Sequence, residues 1–149
     1  MTNLASLNFA SAADQGATMP VLHPVDRVPL LDAKKKPVTI DLLGRDSDTW
    51  IKGENAARNK SVEQLTTGAK YSAAAADRRD AESLARATTG WAGIPKAWLE
   101  EGSMDESPAE FSFENAVRLY TNRGVRWLRD DADKFVGTRA NFLKASLTS

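Results

Sequence analysis

Cysteine is absent and histidine occurs once, at His23. The first absence excludes a disulfide framework, a thiolate metal site and a thiol nucleophile, and the second excludes a multi-histidine zinc site. Aromatic residues make up only 7% of the chain, and the 42% hydrophobic content is more than one third alanine. A core built from so few large side chains favours Ala-rich helices over a β-sandwich. Net charge is also missing, since 20 Lys and Arg balance 20 Asp and Glu. That removes the broad attraction that draws proteins non-specifically to nucleic acid or anionic membrane. No run approaches the roughly 20 apolar residues of a membrane span. No Lys or Arg precedes Arg27, so the basic start of a secretory signal is not expected, and the sequon Asn59-Lys60-Ser61 is read as chance.

What is present fits one domain of ordinary size in 149 residues. Residues 1–24 are rich in Ala, Ser, Thr and Asn, lack an apolar period and end in Pro20 and Pro24, which predicts a low-complexity N-terminal arm before a single mainly helical domain over 25–149. Val28-Pro29-Leu30-Leu31 and Val38-Thr39-Ile40-Asp41-Leu42-Leu43 are β-prone runs joined by a polar segment, which predicts an N-terminal β-hairpin. Lys34, Lys35 and Lys36 fall in its loop, where adjacent charges serve to keep a turn in water.

Helices are predicted near 49–65, 72–89, 112–121 and 125–145. Asp46, Ser47 and Asp48 offer caps for the first, whose apolar face is Trp50, Ile51, Ala57, Ser61, Val62 and Leu65, with an end by Gly68. The second carries a stripe of Ala74, Ala81, Leu84, Ala85 and Thr88, and the Arg78/Glu82 and Glu82/Arg86 pairs add i,i+4 support. The stretch from Glu100 to Glu114 holds six acidic residues and no basic one, reading as a linker or acidic edge. Either Ser107 or Ser112 caps the third helix. Asn122-Arg123-Gly124 ends it, and the last helix buries Leu128, Ala132, Phe135, Val136, Leu143 and Leu147. The third and fourth thus form a C-terminal αα-hairpin, and the fold class is mainly α, packed about Trp91, Phe135 and Leu128.

The sequence carriers of chemistry fail one by one. Counting a calcium loop from Asp46 places Ile51 where Gly is needed and Ala57 where Glu is needed, and counting from Asp131 places Val136 and Phe142 there. Ser47 lacks the flanking glycines of a nucleophile elbow, and neither a P-loop nor a dinucleotide fingerprint occurs. The expectation is a non-enzyme with no catalytic residue, no cofactor and no metal. Arg126 and Arg129 suggest a DNA-reading helix, but Asp130, Asp131 and Asp133 beside them would repel phosphates. Trp50, Trp91, Trp98 and Trp127 supply core, or in part a partner-binding face, for which the candidate residues are Trp91, Phe113, Tyr120 and Trp127.

Four segments together resemble the tail assembly chaperones, or closely associated tail proteins, of long-tailed bacteriophages. They are Leu43-Gly44-Arg45-Asp46-Ser47-Asp48, then Leu84 through Ile94, then Phe111 through Tyr120, and lastly Trp127 through Asp133 leading to Arg139-Ala140-Asn141-Phe142-Leu143. The likeness spans about Val28 to Leu143, and the arm departs from it. The resemblance implies a non-enzymatic role in the host cytoplasm: binding the tape measure protein, keeping it soluble and helping tail-tube subunits assemble around it. It also implies relatives with a frameshifted C-terminal extension. The alternatives are a structural virion subunit, such as a connector or tail component, and more weakly a small DNA-binding regulator. Self-association is compatible with the first two. As a chaperone the chain would hold an amphipathic helix in an apolar groove, with the αα-hairpin of Phe113 to Leu143 and Trp127 near its turn as one wall.

Overall fold

The computed structural model describes residues 4–66 and 73–148. Among them the chain is mainly α with some β: six α-helices and one three-stranded antiparallel sheet. The helices are α1 (Ala10–Gln15), α2 (Asp48–Thr66), α3 (Ala73–Ala87), α4 (Phe113–Thr121), α5 (Arg126–Gly137) and α6 (Arg139–Thr148). The strands are β1 (Ala17–Pro20), β2 (Thr39–Leu42) and β3 (Thr88–Ala92), with β2 in the middle.

The sheet alternates as a half-buried sheet must. Met19, Ile40 and Trp91 stand in register on the core face, and Thr18, Asp41 and Gly90 stand in register on the other. There Thr18 Oγ1 donates to Asp41 Oδ1 at 2.6 Å. β1 corrects the expectation of an arm over residues 1–24. Ala12, Ala13, Met19 and Val21 are buried, and residues 10–21 supply a helix and an edge strand of the fold. The apolar groups are few, but β1 places them on one face.

The expected hairpin of 28–31 with 38–43 is likewise replaced. β2 pairs with β1 and β3, and the 28–31 run keeps only bridges, Leu22 to Pro29 and Leu31 to Pro37. Three residues close a cycle instead: Val21 N–H donates to Val38, Val38 N–H to Leu30, and Leu30 N–H to Val21, each at 2.9 Å. Prolines at 29 and 37 remove the donors that a longer ladder would need.

α2 starts where Ser47, fully buried, accepts from Trp50 N–H at 3.2 Å. Of its expected apolar face, Trp50 is buried, Ile51 is exposed, and the side chains of Ala57, Ser61, Val62 and Leu65, like Gly68 itself, lie outside the described residues. α3 buries Ala81, Leu84 and Ala85 and leaves Ala74 exposed. Ser112 is the cap of α4, its Oγ accepting from Asn115 N–H at 3.0 Å, and α4 packs chiefly on α3. The helix expected over 125–145 is two helices. Thr138 is extended between α5 and α6, because the Val136 carbonyl takes the N–H of Arg45 at 3.2 Å and Thr138 Oγ1 caps the Lys134 carbonyl at 2.8 Å. The break turns Phe142 into the core, edge-on to Phe135 at 5.5 Å between centroids. Leu128 is at the centre as expected, while Trp91 and Phe135 pack from its margin.

Candidate functional site

Two ribbons, one carrying the lysine loop and the other the first part of the acidic stretch, face each other across a groove of about 560 Å³. The first runs from Leu30 to Val38. Asp32 folds it, its Oδ1 accepting from the N–H groups of Lys34 at 2.8 Å and Lys36 at 2.9 Å, while Lys35 takes φ of 61°. An aspartate bonding to the backbone ahead of it is the usual way to fix such a turn, so the lysines project from a held backbone.

The second ribbon runs from Gly93 to Pro108 and is tied across by Lys96 N–H to Ser107 at 2.9 Å and Ala97 N–H to Asp105 at 2.7 Å. Asp105 accepts from both the backbone N–H and the hydroxyl of Ser107, which hold its carboxyl below the usual carboxylate range. Met104, next to it, is 89% exposed. The ribbons touch at the base of the groove, where an added Cβ on Gly93 would lie 3.2 Å from Val38 Cγ2 and 3.3 Å from Asp32 Cβ.

The groove is lined with apolar groups from both sides, among them Leu30, Leu31, Pro95, Trp98 and Met104, and carries Lys34 and Lys36 on one rim and Glu106 on the other. Trp98 is backed by Trp127, edge-on at 5.6 Å, and its carbonyl accepts from Asn122 Nδ2 at 2.9 Å, which anchors this wall to the turn between α4 and α5. Such a site holds apolar side chains between opposite charges. A second cleft of about 410 Å³ lies between Met19, Lys134 and Phe135, but two of its charges, Arg27 and Asp131, already neutralise each other at 3.0 Å.

The partner-binding candidates of the sequence do not assemble into this lining. Tyr120 is 1% exposed, which corrects its assignment to a partner face: its hydroxyl is bonded to Thr88 and it belongs to the core. Trp91 is half-buried, donating from Nε1 to the Ala109 carbonyl at 3.0 Å and meeting Phe111 edge-on. Phe113, at the first turn of α4, is 46% exposed. Trp127 reaches the groove only through Trp98. Sequence reasoning missed Leu31 and Met104 and left Trp98 out of its candidates, although the apolar pair Leu30-Leu31 beside a lysine run was a visible signal.

Among the described residues no three His, Cys, Asp or Glu converge as metal ligands, and no helix is long and apolar enough to cross a membrane. Comparison with protein-family models, with curated proteins and with solved structures gives no match to this chain.

Proposed function

We propose that the chain is a non-enzymatic binding protein that holds an apolar segment of a partner in the groove between its lysine turn and its acidic ribbon. The observation that carries this reading is the groove itself, with Leu31 56% and Met104 89% exposed at its lips. Apolar side chains displayed on held backbone, rimmed by charge, are what a docking surface requires. Following the resemblance to tail assembly chaperones, the partner is the tape measure protein of a long-tailed phage, whose amphipathic helices need cover before the tube forms. The αα-hairpin then acts as a buttress, α4, α5 and Trp127 holding Trp98 in place.

The test is co-expression with the tape measure protein of the same phage. The wild-type chain should move that protein into the soluble fraction, and Leu31→Ser with Met104→Ser should abolish the effect while leaving the circular dichroism spectrum unchanged. A tape measure protein that stays insoluble beside the wild-type chain overturns the reading. Presence in purified particles at fixed copy number makes the chain a structural virion subunit instead.

A further inference from the structure

We infer that residues 22–29 form a pH-sensitive strap on the second cleft, tied to α5 while His23 is neutral and released when its imidazole takes up a proton. The inference stands apart from the groove and needs no client.

The strap is built around one ring nitrogen. Nδ1 of His23 accepts the N–H of Val25 and the N–H of Asp26, each at 3.1 Å. An imidazole nitrogen that accepts carries no proton, so this turn selects the neutral ring with its hydrogen on Nε2. The backbone closes around it, His23 N–H donating to the Val28 carbonyl at 2.8 Å and Arg27 N–H to the His23 carbonyl at 3.0 Å. Arg27 is thereby held at φ of 57°, a left-handed conformation that residues with a side chain rarely adopt unless constrained.

That backbone aims Arg27 at the helix. Its Nη1 lies 3.0 Å from Asp131 Oδ2, which ties the turn to α5 at a cleft whose apolar lining is Met19, Pro20, Leu22 and Phe135. The ion pair follows the turn and does not hold it, since Arg27 is 52% exposed and exposed pairs are weak.

A proton on Nδ1 turns the acceptor into a donor facing two donors. Both bonds are lost, and the Asp26 carboxylate, 3.7 Å from Nδ1, becomes the acceptor within reach. No other carboxylate among the described residues comes within ion-pair distance of the ring. Arg27 is then free to leave the left-handed region, and the change in φ swings its side chain off Asp131. The α5 wall of the cleft is left with Asp131 and Lys134 as its charges. Histidine is the side chain that ordinarily changes charge between pH 5 and 8, so the strap responds in that range.

NMR titration of the full chain from pH 8 to pH 5 tests this. The His23 ring, the amides of Val25, Asp26 and Arg27, the Met19 methyl and the Phe135 ring should move in one step with a shared midpoint, and the ring nitrogens should report the Nε2–H tautomer at pH 8. His23→Asn places Oδ1 where Nδ1 stands and accepts at any pH, so it should keep the pH 8 pattern of the turn down to pH 5. His23→Leu cannot accept and should show the released pattern at both values. Amides of 25–27 that do not follow the ring overturn the inference, as does a step that persists in His23→Asn. A step confined to the turn, without Met19 and Phe135, overturns the link to the cleft, and a proton on Nδ1 at pH 8 overturns the switch itself.

Discussion

The hydroxyl of Tyr120 lies 2.7 Å from Oγ1 of Thr88, joining the last turn of α4 to the first residue of β3. Thr88 also donates to the Leu84 carbonyl at 2.9 Å, so its single proton is committed and the phenol is the donor to it. Tyr120→Phe should therefore cost about 1 kcal/mol, the net worth of one hydrogen bond, and Thr88→Val about 1–3 kcal/mol, because it strands a buried hydroxyl. Urea unfolding measures both.

The same pair sets an alkaline limit. Burial pushes the Tyr120 hydroxyl well above its ordinary value of 10.0, since the phenolate would be desolvated. A folded value raised above the unfolded one contributes stability that is complete below about pH 10 and is lost as pH rises towards the folded value. Stability should fall with pH above about 10 in the wild type and fall less steeply in Tyr120→Phe. Equal slopes in the two proteins would refute the link.

Arg129 is the charged counterpart of this buried bond. Its side chain is 6% exposed, with Nη1 at 3.0 Å from the Asp77 carboxylate and 3.3 Å from the Tyr120 carbonyl, and Nη2 at 3.2 Å from the Asp77 carbonyl. One guanidinium so holds the start of α3, the end of α4 and the body of α5 together. Asp77 should be more sensitive than an exposed residue normally is, because Asp77→Ala leaves a buried cation without its carboxylate. Arg129→Met should cost less, since the orphaned carboxylate is 41% exposed and water reaches it.

Acid titration separates two carboxylates of opposite sign. The hydrogen bond from Arg129 holds Asp77 below its ordinary value, so its contribution is present above about pH 4 and is lost as pH falls through the depressed folded value. Burial raises Asp133 instead, so its contribution is complete below about pH 4 and is lost as pH rises through the raised value. Asp133→Asn should raise stability at pH 7, and Asp77→Asn should lower it. Thermal melts at pH 3 and pH 7 should bring each variant closer to wild type at the lower pH.

The helices were legible because their signals are local. Ala81, Leu84 and Ala85 repeat at helical spacing, and Ser112 sits where a cap must. What was illegible is what distant residues decide. β1 is four residues ending in proline, and it is a strand only because β2 lies beside it. The break at Thr138 depends on Arg45, whose N–H draws the Val136 carbonyl out of the helix. The groove is of the same kind: the lysine turn was read as a solvated loop and the acidic stretch as a linker or acidic edge, and no spacing says that they face each other. Tyr120 shows the opposite error, an aromatic assigned to a partner whose acceptor is Thr88, thirty-two positions earlier.

Gly93 and Gly102 give the groove a paired test. Both take positive φ, 78° and 85°, so alanine at either position should cost about 1 kcal/mol or somewhat more for the left-handed backbone alone. Their surroundings differ. A Cβ at Gly102 meets nothing within 4 Å, whereas a Cβ at Gly93 presses on Val38 and Asp32, the two residues that hold the lysine turn against the second ribbon. Neither neighbour gives way freely, since Val38 is tied into the three-residue cycle with Val21 and Leu30, and Asp32 anchors the turn itself. Gly93→Ala should therefore spread the ribbons apart, moving the amide resonances of 30–38 and 93–108, and should weaken partner capture. Gly102→Ala should lose a similar backbone increment in urea unfolding, perturb only its own turn, and capture as the wild type does. If the two variants behave alike in capture, the separation of the ribbons at Gly93 does not govern the groove.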